Sequence, residues 1–267
     1  MGAPGTSRSR TARARAVARF FVRQGLGSLL VRISLGLSAV IVLAAMSVAA
    51  LVSSSHVPGE LPTVALVPGV AARAIAWGGG ILVAFALAQR AFHRDISDGV
   101  VSLLRARGLD PMYLWGRVGA AMALVGAPVV GGTLLVSVTA VLAATRTGDA
   151  WDAVRGGAAA LVYSALFTAV LVPLSLAALG GRTRGGGYFF LLLFLVIPEM
   201  VSPLTRAFVP EEMTSIPHAL QGLSHAMTVG HLDLRRTTGS VFFLTAVALT
   251  TLLYVRREAQ RVRSEAR

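Results

Sequence analysis

The stretch ISLGLSAVIVLAAMSVAALVSSSHVPG, residues 33–59, contains no Asp, Glu, Lys or Arg. A transmembrane helix needs about 20 mainly apolar residues, because the hydrocarbon core of a bilayer is about 30 Å thick. The stretch is therefore long enough to cross a membrane as one helix. When the rest of the chain is divided at its charged residues, five further apolar runs of comparable character remain.

These runs predict an all-α fold, a polytopic membrane protein with six transmembrane helices. The predicted spans cover residues 33–53, 71–90, 118–144, 157–179, 188–204 and 239–255. They form a transmembrane domain over residues 33–255, which follows a basic N-terminal segment, 1–32, and precedes a basic tail, 256–267.

The composition of the 267-residue chain supports a membrane protein. Of its residues 55% are hydrophobic and 14% are charged, whereas soluble domains carry about 25% charged residues. There is no cysteine, which excludes disulfides, thiolate metal sites and cysteine nucleophiles. The net charge of +13 comes from arginines scattered between apolar runs. This distribution indicates membrane topology and attraction to membrane lipid rather than nucleic-acid binding.

The positions of the arginines predict the orientation of the chain, because cytoplasmic loops carry an excess of basic residues. With six spans and a cytoplasmic N-terminus, the inner segments hold nineteen arginines against five acids, and the outer segments hold six against seven. We therefore expect a multi-pass protein of the bacterial inner membrane with both termini in the cytoplasm.

The segment before the first span has the pattern of an amphipathic helix. Arg15, Arg19 and Arg23 recur every four residues, and Val17 and the Phe20-Phe21 pair fall on the opposite side. A basic amphipathic helix of this kind is typical of the membrane interface. A simple cluster of arginines that sets the topology is the alternative.

The loop between the second and third predicted spans reads FHRDISDGVVSLLRARGLDPMYLWGR, residues 92–117. On a helical period its apolar face consists of Ile96, Val100, Leu103 and Leu104. Its polar face consists of Asp95, Asp98, Ser102 and Arg105. We expect one short amphipathic helix, which ends at Gly108 and cannot continue through Pro111.

This loop resembles the cytoplasmic loop of the type-2 ABC exporter permeases. The positions that carry the resemblance are an acid and a glycine (Asp95, Gly99), the pair Leu103-Leu104, the turn Gly108-Leu109-Asp110, the aromatic Tyr113 and the pair Gly116-Arg117. The chain departs from the family pattern where it has Val100 for threonine, Gly108 for proline and Asp95 for glutamate. It also lacks the asparagine-proline feature that many members have before the sixth span.

The resemblance implies a permease subunit of an exporter, in which a coupling helix at about residues 95–107 docks on a separate ATPase subunit. It also implies a second permease subunit, either an identical copy or a paralogue. The implied coupling residues are Asp95, Asp98, Gly99, Leu103, Leu104, Arg105, Arg107 and Gly108. A P-loop requires lysine, and this chain has none. We therefore expect ATP and Mg on the partner ATPase, and no cofactor and no enzymatic activity on this chain.

The fifth predicted span is interrupted by Pro198 and Glu199. We expect Glu199 at the outer interface, where the helix breaks; a position in the substrate path or an outer gate is the functional alternative. His218 and His225, seven residues apart, have wider spacing than helical metal ligands, and we expect no metal site.

Two other classes of function stay open from the sequence. The first is an integral-membrane enzyme, although the predicted spans contain no pair of carboxylates or histidines for acid–base chemistry. The second is a non-transporting membrane anchor with a similar six-helix layout.

Overall fold

The computed structural model describes residues 6–52, 63–144, 147–180, 184–197, 200, 215–229 and 234–265. Within these ranges every regular element is a helix. The α-helices are α1 (Thr6–Leu26), α2 (Leu29–Val52), α3 (Thr63–Ala74), α4 (Ile81–Ala88), α5 (His93–Ser97), α6 (Val100–Ala106), α7 (Tyr113–Gly126), α8 (Gly132–Ala143), α9 (Thr147–Leu179), α10 (Arg184–Leu195), α11 (Ile216–Val229) and α12 (Leu234–Glu265). Two π-helical segments, Ile75–Gly80 and Ala127–Gly131, join α3 to α4 and α7 to α8.

Five helical segments of the described chain are long and apolar enough to cross a membrane. They are Leu29–Leu51, Leu66–Ala88, Tyr113–Ala143, Ala150–Leu179 and Thr237–Val262. They correspond to the first four predicted spans and the last, so the all-helical fold is confirmed and five of the six predicted spans are candidate membrane-spanning helices. Of the predicted span at 188–204, residues 198–199 and 201–204 lie outside the described residues, and the count of six stays a prediction.

The fourth span is the centre of the bundle. Within its most apolar part 72% of the residues are buried, against 22% in the first span and 28% in the last. Its helix α9 contacts α3, α4, α7, α8, α10, α11 and α12. A helix that is surrounded by other helices has apolar residues on every side. Accordingly, every residue of α9 from Val170 to its end is buried.

Helix α1 packs lengthwise on α7. Val17 of α1 lies so close to Gly116 of α7 that a Cβ on this glycine would overlap Val17 Cγ1. Eight residues further along both helices, a Cβ on Gly25 would lie only 2.7 Å from Leu124 Cδ1. The two helices therefore run side by side in the same direction. The apolar face of α1, predicted to enter the membrane interface, is occupied by α7: Phe21 is 1% exposed, whereas Phe20, 37% exposed, projects outward.

The two π-helical segments lie near the middle of the second and third spans and contact each other. Pro128 lacks the N–H that an α-helical turn requires, and the first segment contains three consecutive glycines. At this level the Trp77 indole donates a hydrogen bond to Tyr163 Oη at 2.8 Å, and Thr133 and Ser164 bond at 2.8 Å. A π-helical turn contains an extra residue, which interrupts the regular series of backbone hydrogen bonds. Such turns are common where helices bend.

The close approach of α1 at Gly116 predicts opposite effects for two alanine substitutions about one helical turn apart. A Cβ added at Gly119 would have no atom of another group within 4 Å, so alanine at this exposed position should stabilise α7 by up to about 1 kcal/mol. Alanine at Gly116 should destabilise the protein, because the new methyl group overlaps Val17. Thermal unfolding of the two purified variants in detergent measures this; equal shifts in the same direction would contradict the packing of α1.

Candidate functional site

The loop between the second and third spans contains two short helices instead of the single helix predicted over residues 95–107. Gly99 adopts a left-handed conformation, φ 68°, between α5 and α6. A left-handed residue breaks the helical period, and glycine accepts it without steric cost. The side chains before and after Gly99 therefore do not share the faces that one continuous helix would give them.

The end of α6 matches the prediction. Gly108 has φ 65°, its N–H donates to Arg105 O at 2.9 Å, and the Leu109 N–H donates to Leu104 O at 2.8 Å. This pair of bonds is the Schellman motif, which satisfies the last carbonyls of a helix and requires a left-handed residue. The predicted stop at Gly108 is confirmed.

Asp95 is fully buried, which corrects its predicted position on the polar face. Tyr113 Oη donates a hydrogen bond to Asp95 Oδ2 at 2.7 Å, and Arg117 Nε lies 3.4 Å from the same oxygen. Arg117 also donates to Gln24 Oε1 at 3.1 Å and to the backbone oxygen of Arg90. We call Asp95, Tyr113, Arg117 and Gln24 the polar hub. The hub joins the loop to α7, to α1 and to the end of the second span.

Aromatic rings enclose the polar hub. The Tyr113 ring meets Phe21 edge-on at 5.7 Å and Phe92 at 6.4 Å between centroids, and the Arg117 guanidinium lies 4.8 Å from the Phe21 centroid. Phe92 has φ 45°, which is unusual for a residue with a side chain. The following His93 N–H donates to Gly180 O at the end of α9, 3.4 Å away. The loop therefore begins against the central helix.

Burial raises the pKa of the Asp95 carboxyl above its ordinary value, and the nearby charge of Asp98 raises this pKa further. The charge of Arg117 and hydrogen bonds from Tyr113 and Gln24 act in the opposite direction, but burial has the largest effect. Oδ1 of Asp95 has no donor at hydrogen-bond distance among the described residues. A buried ion pair is costly to desolvate but far costlier when one partner is lost. The hub therefore holds the loop in position, and Asp95 offers no surface for a direct ionic contact.

The other predicted coupling residues divide by exposure. Asp98, Gly99, Leu103, Arg107 and Gly108 are exposed, Arg105 is half-buried and Leu104 is buried. Leu103 is 45% exposed although the sequence placed it beside Leu104 on the apolar face. Asp98 pairs with Arg94 at 3.7 Å, four residues earlier on the exposed side.

Arg117 and Gln24 were not predicted as partners of Asp95. The spacing of Tyr113 and Arg117, four residues apart on one helix, puts both on the same face and was an available signal. Nothing in the sequence pointed to Gln24. Pro198 and Glu199, the predicted outer-interface residues, lie outside the described residues.

Comparison of the chain with protein-family models, with curated proteins and with solved structures gives no significant match. The described part of the chain contains no group of three or more His, Asp or Glu side chains arranged to hold a metal ion.

The polar hub predicts a pH-dependent loss of stability when its cation is removed. Replacing Arg117 with Met leaves the Asp95 carboxylate buried with Tyr113 as donor, at a cost of about 3–5 kcal/mol near neutral pH. Because the folded protein raises the pKa of Asp95, it binds the proton more tightly than the unfolded chain does. Stability from this group is therefore present at low pH and lost as the pH rises through the raised pKa.

We accordingly expect part of the loss in R117M to be recovered on acidification to about pH 5 and in the double variant R117M/D95N, which removes both charges. Unfolding in detergent at both pH values measures this. R94M, which breaks only the exposed pair with Asp98, should cost less than about 1 kcal/mol. A loss in R117M no larger than in R94M would contradict the role of the hub.

Proposed function

We propose that this chain is the membrane-spanning permease subunit of an ATP-driven exporter, in which a separate P-loop ATPase docks on the loop formed by α5 and α6. The observation that carries the proposal is the polar hub. It ties this loop to the second and third spans and to α1 through buried side chains. A solvated connection between two spans needs no such attachment.

A loop that is fixed in this way transmits force to the helices that hold it. Its start is held by Phe92 and His93 against the end of α9, and its end by Tyr113 and Arg117 at the beginning of α7. A push on the exposed side of α5 and α6 would therefore move the adjoining ends of the second and third spans together. Closely packed interiors transmit such displacements because they compress little.

The two π-helical segments supply a place where these spans can bend. Ile75–Gly80 and Ala127–Gly131 face each other at mid-span, and Val129 packs on Gly80. We propose that ATP-driven movement of the loop bends both spans at this level. π-Helical turns are frequent at functional sites and at kinks.

In this proposal the docking surface is the exposed side of the loop, with Asp98, Leu103 and Arg107 as its contacts. Asp95 acts as a positioning residue, and Gly99 and Gly108 provide the two left-handed turns. ATP and Mg bind to the partner. The outward apolar faces of α2 and α12, the least buried spans, contact lipid or a second permease subunit.

The docking surface predicts the effect of charge reversal. The variant D98R/R107E should reduce co-purification with a P-loop ATPase subunit, first identified as a partner of the unaltered chain, by about tenfold or more, because reversed charges at an interface repel. D152R/R155E, the same exchange near the start of α9, is the matched control and should retain the partner. Equal retention by both variants, or equal loss, would overturn the docking site.

The proposed orientation predicts a labelling pattern. The chain has no cysteine, so single thiols introduced as D98C and D149C have no background. A membrane-impermeant maleimide added to intact cells should label position 149, which precedes the fourth span, and leave position 98 unlabelled until the membrane is permeabilised. The reverse pattern would refute cytoplasmic termini and an inner-side loop.

A further inference from the structure

We propose that Arg15, Arg19 and Arg23 of α1, which we call the arginine ladder, bind the headgroup phosphates of anionic phospholipids. All three side chains are exposed. They follow one another at four-residue spacing and so lie on one side of the helix. The proposal concerns the lipid around the protein and does not depend on the ATPase.

The orientation of the ladder is set by the opposite side of α1. Val17 and Phe21 are buried against Gly116 and Tyr113 of α7, so the arginines point away from the bundle. The ion pairs of the described residues join other side chains and include none of the three. Three exposed guanidinium groups on one face form a strongly positive surface.

The depth of the ladder favours lipid over a soluble partner. Because Val17 lies beside Gly116 and Gly25 beside Leu124, Arg19 and Arg23 run alongside the first turns of the third span. This span has 31 residues, more than the about 20 that cross the hydrocarbon core, so we place its first turns at the level of the headgroup phosphates. Long arginine side chains reach this plane by extending along the helix, and guanidinium binds phosphate through two parallel hydrogen bonds.

An apolar surface continues from the ladder in the direction that acyl chains would take. At the junction of α1 and α2 the exposed large side chains are Leu26, Leu29, Leu30 and Ile33. Arg32 is held here by a hydrogen bond from its Nε to Leu26 O at 2.6 Å. A cationic strip followed by exposed leucines matches the order of a phospholipid, from anionic headgroup to hydrocarbon tail.

The test uses the full chain reconstituted with spin-labelled phosphatidylglycerol or spin-labelled phosphatidylcholine, and electron paramagnetic resonance measures the fraction of each lipid held at the protein. We expect wild type to select phosphatidylglycerol and R15Q/R19Q/R23Q to lose this selectivity by about fivefold or more. The control R94Q/R107Q/R155Q removes the same number of exposed charges, two from the loop and one from the far end of α9, and it should retain the selectivity.

Selectivity retained by the ladder variant would overturn the proposal, as would equal loss in the control, which would indicate net charge alone. If the ladder variant fails to fold, the test uses the wild-type protein in about 1 M salt, where charges are screened within about 3 Å. The selectivity for phosphatidylglycerol should then fall, and unchanged selectivity would contradict the proposal. Absence of selectivity in wild type, together with ladder-dependent binding of a DNA duplex, would assign the arginines to nucleic acid instead.

Discussion

The contact between Asp95 and Arg117 is the interaction on which the proposed coupling depends. A carboxylate removed from water needs a cation and hydrogen-bond donors close by, and Arg117 and Tyr113 provide both. Because Arg117 also holds Gln24 and the backbone of Arg90, one guanidinium fixes the loop, α1 and the end of the second span to α7. The position of the exposed loop surface follows from this attachment.

The bundle combines a rigid centre with two spans that carry irregular turns. Helix α9 contains the most buried of the five spans, while the π-helical segments of the second and third spans face each other at mid-span. A regular helix resists bending because each turn is closed by backbone hydrogen bonds. Pro128 cannot donate one of these bonds, and the glycines at 78–80 lack side chains that would restrict the backbone. The second and third spans, which contain the π-helical segments, are also the two spans that the loop connects. The loop and the proposed site of bending therefore lie on the same pair of helices.

The spans could be predicted from the sequence because hydrocarbon thickness sets a length and excludes charge. The observed ends of a span differ from the predicted ones where a charged residue lies near the end. The first span begins at Leu29 instead of residue 33 and so includes Arg32, whose side chain donates a hydrogen bond to Leu26 O. The stop at Gly108 was also predictable, since a left-handed helix end favours glycine. The burial of Asp95 could not be predicted. The faces predicted from the sequence assume one continuous helix, and Gly99 interrupts that helix.

The sequence by itself determined which segments are long and apolar enough to cross a membrane and where the α6 helix stops, because both depend on local composition and backbone preference. Only the tertiary structure decided that Asp95 points inward, that α1 packs along α7, and that Gln24 and Arg117, 93 residues apart, share a hydrogen bond. These contacts join distant parts of the chain. Their geometry is set by how whole helices pack, which no local pattern in a single sequence records.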